Sequence, residues 1–122
     1  MLVVEDDRGL REALVLFVQD EGFLAEAAED GVEGLFSLEW RPADVIILDL
    51  ALPRMDGYEF MEALALRFGR GRPKVIVLSG AERLDLARAR LGAEAYLSKP
   101  FDVERLRAAL ARLSAARRAV RS

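Results

Sequence analysis

Five side chains in this 122-residue chain have the types and neighbours needed to do chemistry: Glu5, Asp6, Asp49, Ser79 and Lys99. Each stands at or just beyond the end of a short apolar run. Leu2-Val3-Val4 leads into Glu5 and Asp6, Val45-Ile46-Ile47-Leu48 into Asp49, Val75-Ile76-Val77-Leu78 into Ser79, and Ala95-Tyr96-Leu97 into Ser98 and Lys99. Three crowded carboxylates repel, which raises the pKa of at least one of them unless a cation is present. Oxygen ligands with open positions suit Mg²⁺, which keeps several waters and takes one or two carboxylates plus a phosphate. An aspartate in such surroundings can act as a nucleophile and become an aspartyl-phosphate. The added oxygens then need partners, and Mg²⁺, a Lys ammonium and a Ser hydroxyl supply charge and a hydrogen bond. The chemistry read from these residues is Mg²⁺-dependent phosphoryl transfer onto Asp49. Each residue also has a plainer reading. Glu5-Asp6-Asp7 suits a helix start, Asp49 and Ser79-Gly80 suit turns, and Lys99-Pro100 suits a solvated loop before a helix. Their placement at strand ends of one sheet is what sets those readings aside.

Composition removes several alternatives. The chain has no cysteine and no histidine, which excludes a Cys/His zinc site, a thiol nucleophile, a disulfide framework and every His-dependent triad. It has no Gly-x-x-x-x-Gly-Lys or Gly-x-Gly-x-x-Gly loop, so nucleotide binding is disfavoured. The net charge of −3 hides a split: residues 1–62 hold 16 acids and 4 bases, residues 63–122 hold 5 acids and 14 bases. Sixteen of the 18 basic residues are Arg; the two lysines are Lys74 and Lys99. In a chain so committed to Arg, a Lys at a strand end asks whether a compact ammonium is needed there. The length fits one domain with a single core. No apolar run approaches the roughly 18 residues of a membrane span, and the N-terminus meets acid at once, unlike a signal peptide. A soluble, cytoplasmic protein is expected.

The elements that must position these side chains alternate in type. Strands are expected at Leu2–Val4, weakly at Phe23–Ala28, and at Val45–Leu48, Val75–Leu78 and Ala95–Leu97. Helices are expected at Arg8–Asp20, Val32–Glu39, Tyr58–Phe68, Arg83–Leu91 (closed by Gly92) and from about Val103 to Val120. Gly22 stops the first helix, Trp40-Arg41-Pro42 breaks the second, and Gly69–Pro73 is a linker. The last helix carries Leu106, Leu110 and Leu113 on one stripe, which reads as core. Strand–helix alternation predicts an α/β fold: a flavodoxin-like, doubly wound (βα)5 domain with a five-stranded parallel sheet of order 2-1-3-4-5. In such sheets the ligand lies beyond the carboxyl ends of the strands, where the five side chains fall.

At these residues the chain resembles the receiver (phosphoacceptor) domain of bacterial two-component response regulators. The resemblance covers nearly the whole chain and rests on four motifs in order: Leu2-Val3-Val4-Glu5-Asp6-Asp7, Val45 through Gly57 with Leu52-Pro53-Arg54-Met55-Asp56-Gly57, Val77-Leu78-Ser79-Gly80, and Tyr96-Leu97-Ser98-Lys99-Pro100-Phe101. The gaps of 43 residues from Asp6 to Asp49 and 30 from Asp49 to Ser79 agree with the family. The resemblance implies that Asp49 accepts a phosphoryl group from a phosphohistidine on a sensor histidine kinase or phosphotransfer protein. It implies Mg²⁺ (or Mn²⁺) held by Asp6, Asp49 and the backbone carbonyl of Ala51, with Glu5 acting through a metal-bound water. Lys99 would pair with Asp49 and then with the phosphoryl group, Ser79 would move toward that group while Gly80 leaves space, and Tyr96 would rotate inward in step. The face formed by the fourth helix, fifth strand and fifth helix would report the change, to a protein partner, an output domain or a phosphorylation-dependent dimer. The chain would catalyse its own phosphorylation and autodephosphorylation, with no separate substrate turned over.

Three positions depart from the family pattern. Ser79 to Lys99 spans only 20 residues, so the loop or helix after the fourth strand is shortened. Ala51 is smaller than the residue usual there. Ala95 stands where winged-helix regulators that dimerise through this face commonly have an acid. Residues 1–113 are expected to form the receiver domain, and 114–122 a basic helix end or linker; the Arg-rich end (Arg112, Arg117, Arg118, Arg121) reads as a solvated helix terminus. DNA contact would need a separate effector domain, and the chain is either a stand-alone receiver or one detached from its output domain. Two other functions share the fold type. A pseudo-receiver that binds protein without phosphorylation is opposed by the intact Asp6, Asp49, Ser79 and Lys99. A haloacid-dehalogenase-like phosphatase would want an acid two residues after the nucleophile, where Ala51 stands.

Overall fold

The structure, a computed structural model, describes residues 1–121, with side chains through Ser114. Along the chain run β1 (Leu2–Val4), α1 (Arg8–Asp20), β2 (Glu26–Ala28), α2 (Gly31–Trp40), β3 (Val45–Asp49), α3 (Gly57–Phe68), a 3₁₀ turn (Gly69–Gly71), β4 (Lys74–Gly80), α4 (Ala81–Arg90), β5 (Ala95–Lys99) and α5 (Val103–Arg121). All strand pairs are parallel and the order is β2-β1-β3-β4-β5, the doubly wound arrangement expected from the alternation. Among the described residues no helix is long and apolar enough to cross a membrane.

Continuous apolar strands are needed because both faces of the sheet are covered. Leu2, Val4, Ile46, Leu48, Val75 and Val77 point to one face and pack with Leu35, Leu38, Phe60 and Leu64 of α2 and α3. Val3, Val45, Ile47, Ile76 and Leu78 point to the other and meet Leu14 and Val18 of α1 and Leu106, Leu110 and Leu113 of α5. Side chains of this size each stabilise by about 1.5–3 kcal/mol when fully buried. The Leu106, Leu110 and Leu113 stripe is therefore core, as its spacing predicts.

Aspartates begin three of the helices. Asp7, Asp30 and Asp56 accept from backbone N–H groups in the first turns of α1, α2 and α3, and Asp56 forms a reciprocal capping box with Glu59. These caps fix where the helices leave the strand ends. Gly22 follows α1 at φ +94°, a left-handed position that suits glycine.

Several boundaries differ from the sequence reading. β3, β4 and β5 each extend to include the functional residue at their end, because ladder pairing continues through Asp49↔Leu78, Ser79↔Ser98 and Gly80↔Lys99. β2 is only Glu26–Ala28. The helix after β4 begins at Ala81, directly on the strand, and not at Arg83. It ends at Arg90 with Leu91 already extended, so Gly92 does not close it. α5 continues unbroken past Leu113; the side chains of Arg117, Arg118 and Arg121 lie outside the described residues.

Candidate functional site

The parallel register carries the carboxyl ends of β1, β3, β4 and β5 to one edge, and the site forms there. Asp49 is the last residue of β3 and is 4% exposed; Ser79 near the end of β4 is 3% exposed; Glu5, immediately after β1, is 1% exposed. Asp6 is one residue further out and open to solvent. Glu5, Asp6 and Asp49 each bring a carboxylate oxygen within 4.8 Å of the others. The Lys99 ammonium reaches in from the end of β5, donating to Glu5 Oε1 at 2.8 Å and lying 3.3 Å from Asp49 Oδ2. The sequence reading paired Lys99 with Asp49; in the structure it bridges both acids, with Glu5 the closer. The Ala51 amide donates to Asp49 Oδ1 at 3.2 Å, which fixes the carboxylate's rotation. Among the described residues the Ser79 hydroxyl has no hydrogen-bond partner, although it lines the cleft.

Charge is unbalanced here. One ammonium faces three carboxylates, and burial, then the neighbouring Asp49, push the Glu5 carboxyl up to about 7 against the opposing pull of Lys99. Burial works against the Lys99 charge as well, but the hydrogen bond to Glu5 and the negative charges of Asp49 and Glu5 outweigh it and raise its pKa. Burial of Glu5 beside a second acid therefore favours its neutral form, with Lys99 the opposing cation. Three convergent oxygen donors with one open, solvated side fit a small divalent cation such as Mg²⁺, which tolerates few protein ligands.

Around these groups the cleft encloses about 550 Å³ and is also lined by Asp7, Leu10, Gly80, Glu82 and Arg83. Glu82 and Arg83 escape the sequence reading because it places a loop between β4 and α4; the direct junction brings the first turn of α4 to the cleft. Arg11 was also missed: from α1 its guanidinium donates to the carbonyls of Glu5 at 2.9 Å and Asp6 at 3.2 Å, holding the acid pair's backbone. Its position four residues after Asp7, on the helix that follows the acids, was the available signal. Tyr96 lies apart from the acids. Its hydroxyl donates to the Leu91 carbonyl at 2.5 Å and accepts from the Ala93 amide at 3.1 Å, and Arg88 stacks over its ring. The Lys99–Pro100 bond is cis.

Fold and site together define a class: a flavodoxin-like α/β domain whose acidic cleft gathers at the strand ends. Comparison with known proteins gives the family. The model of the response regulator receiver domain matches residues 1–111, and the chain belongs to that family. The response regulator MprA of a Mycobacterium species (strain KMS) is 38% identical over 120 residues, covering 93% of this chain and 51% of that protein. The Mycobacterium tuberculosis response regulator MprA is 38% identical over 118 residues, covering 94% and 49%. The chain thus spans about half the length of the curated relatives it matches. Among solved structures, Vibrio cholerae chemotaxis protein CheY4 superposes with a TM-score of 0.79 at 32% identity, covering 92% of this chain and 95% of that one. The signal receiver domain of a signal transduction histidine kinase from Syntrophus aciditrophicus gives 0.85 at 27% identity, covering 94% and 89%.

Proposed function

We propose that this receiver domain is a phosphorylation switch in which Asp49 accepts the phosphoryl group of a phosphohistidine carried by a sensor histidine kinase or phosphotransfer protein. The observation that carries the reading is the Lys99 bridge between Glu5 and Asp49 inside a three-carboxylate cluster. An Asp49 carboxylate oxygen attacks phosphorus, the P–N bond breaks, and the electron pair leaves with the imidazole, which is released neutral after taking up a proton. Asp6, Asp49 and the Ala51 carbonyl would hold Mg²⁺ (or Mn²⁺), with Glu5 acting through a water; the ion supplies positive charge to the transferring group. Lys99, already between two acids, keeps one contact and offers the other to a phosphoryl oxygen. The unpartnered Ser79 hydroxyl donates to another. Attack of water on phosphorus reverses the modification.

The modified aspartate adds charge and acceptor oxygens at one edge and biases a two-state surface. Moving that surface from 1:99 to 99:1 requires about 5.5 kcal/mol of differential contact, a scale that Lys99, Ser79 and the ion can supply together. The reporting surface is the α4–β5–α5 face, where Tyr96 anchors the α4–β5 turn, and its recipient is a protein partner, an output domain or a second copy. Residues 1–113 act as the receiver unit and 114–122 as its helix end or linker. DNA is reached only through a separate effector domain.

The test is intact-mass spectrometry after incubation with acetyl phosphate and Mg²⁺. Wild type gains one hydroxylamine-sensitive phosphoryl group and Asp49→Asn gains none. Equal labelling of both ends the assignment.

A further inference from the structure

Asp30 and Arg54 take no part in the transfer just described, yet Asp30 is a carboxylate only 3% exposed. Its Oδ1 accepts from the Glu33 amide at 2.8 Å as the cap of α2, and its Oδ2 accepts from Arg54 Nε at 2.8 Å and from Arg54 Nη2. Burial works against the charge, but the Glu33 amide and the Arg54 fork outweigh it and hold the carboxyl below its ordinary range. Arg54 stands at φ 62°, the one non-glycine residue at positive φ among those described. A side chain is disfavoured there and persists where the surroundings impose it.

Those surroundings are a closed loop between β3 and α3. At its base the Gly57 amide donates to the Leu50 carbonyl at 3.0 Å, and a Cβ on Gly57 would lie 2.7 Å from Leu50 Cα. At its tip Met55 covers Gly31, where a Cβ would lie 3.0 Å from Met55 Cγ and 3.1 Å from the Met55 carbonyl. Beside Met55 the Arg54 fork seizes Asp30. Between base and tip lies Ala51, whose amide orients Asp49 and which lines the acid cleft.

We infer that Arg54 is a positioning residue: its fork on buried Asp30 clamps the β3–α3 loop to the start of α2, so that Ala51 and Asp49 keep the arrangement that receives a divalent cation. The inference rests on the reading of the Asp49 site given above. It assigns a role in the site to a residue on the far side of the loop.

Arg54→Asn tests it, because Asn accepts a left-handed φ and leaves the loop's conformation available while removing the fork. Arg54→Lys keeps the charge without the fork. By calorimetric titration Arg54→Asn is expected to bind Mg²⁺ about tenfold more weakly than wild type, the scale of losing a supporting contact, with Arg54→Lys in between. Labelling of Asp49 by acetyl phosphate should need correspondingly more Mg²⁺ and reach the wild-type plateau rate at saturation. Amide hydrogen exchange at Ala51 and Met55, measured without metal, should quicken in Arg54→Asn. Equal Mg²⁺ affinity in wild type and Arg54→Asn overturns the inference, even if the variant is less stable. If wild type itself neither binds Mg²⁺ nor becomes labelled, the Asp49 reading has failed instead; unchanged exchange at Ala51 and Met55 then overturns the clamp, and quickened exchange upholds it.

Discussion

Mg²⁺ and a proton should compete for the same buried acid, and pH separates them. Glu5 sits at about 7 through burial and the neighbouring Asp49, so at pH 6 roughly nine molecules in ten carry the proton. A cation that needs the ionised group then loses about tenfold in affinity between pH 8 and pH 6, close to 1.4 kcal/mol. The stability of the metal-free protein should follow the opposite trend. The folded-state pKa lies above the ordinary glutamate value of 4.5, so the folded chain holds the extra proton, and the contribution of Glu5 to stability is full below pH 4.5 and lost as pH rises through 7. Saturating Mg²⁺ restores stability most at the alkaline end, by about 2.7 kcal/mol at a hundred times its dissociation constant. Calorimetric titration at pH 6, 7 and 8 in two buffers of different ionisation enthalpy reads both the affinity and the released proton. Glu5→Gln should bind more weakly and without the pH slope. A wild-type affinity that is flat from pH 6 to 8, or an unaltered slope in Glu5→Gln, would refute the reasoning.

The remaining predictions concern the countercharge and the loop base. Lys99→Met removes the ammonium that opposes protonation of Glu5, so the midpoint of the Mg²⁺–pH profile should move to higher pH, as the same titration would show; an unmoved midpoint would contradict the bridge. Gly57→Ala places a Cβ 2.4 Å from Leu50 Cδ2 and 2.7 Å from its Cα. Backbone cannot rotate away as a side chain can, so urea unfolding should show a loss of about 3 kcal/mol, the upper part of the overpacking range; an unchanged midpoint would mean that the loop base is not tightly closed.

The sheet was legible because buried parallel strands leave an unbroken apolar signature, as in Val45–Leu48 and Val75–Leu78, and because α/β topology assigns chemistry to their carboxyl ends. That logic brought Glu5, Asp6, Asp49, Ser79 and Lys99 to one edge, where the structure has them. It could not rank the contacts of Lys99, since a preference for Glu5 over Asp49 depends on tenths of an ångström at the ends of two strands far apart in sequence. The helix caps at Asp30 and Asp56 had readable signatures in the Glu residues three positions on. The Asp30–Arg54 fork had none: its partners are 24 residues apart, and nothing local requires Arg54 to adopt a left-handed backbone. Glu82 and Arg83 were lost for a simpler reason. Ser79-Gly80 reads as a turn, and a turn there would have carried α4 away from the cleft.

The missing turn has a mechanical consequence. Gly80 ends β4 and Ala81 begins α4, leaving no residue of slack between the strand that holds Ser79 and the helix beyond it. A longer connection could absorb a displacement by bending; this one has no residue between strand and helix in which to do so. Leu84 and Ala87 seat α4 in the core, so travel of Ser79 by a fraction of an ångström must either be resisted by that seating or tilt the whole helix as one lever.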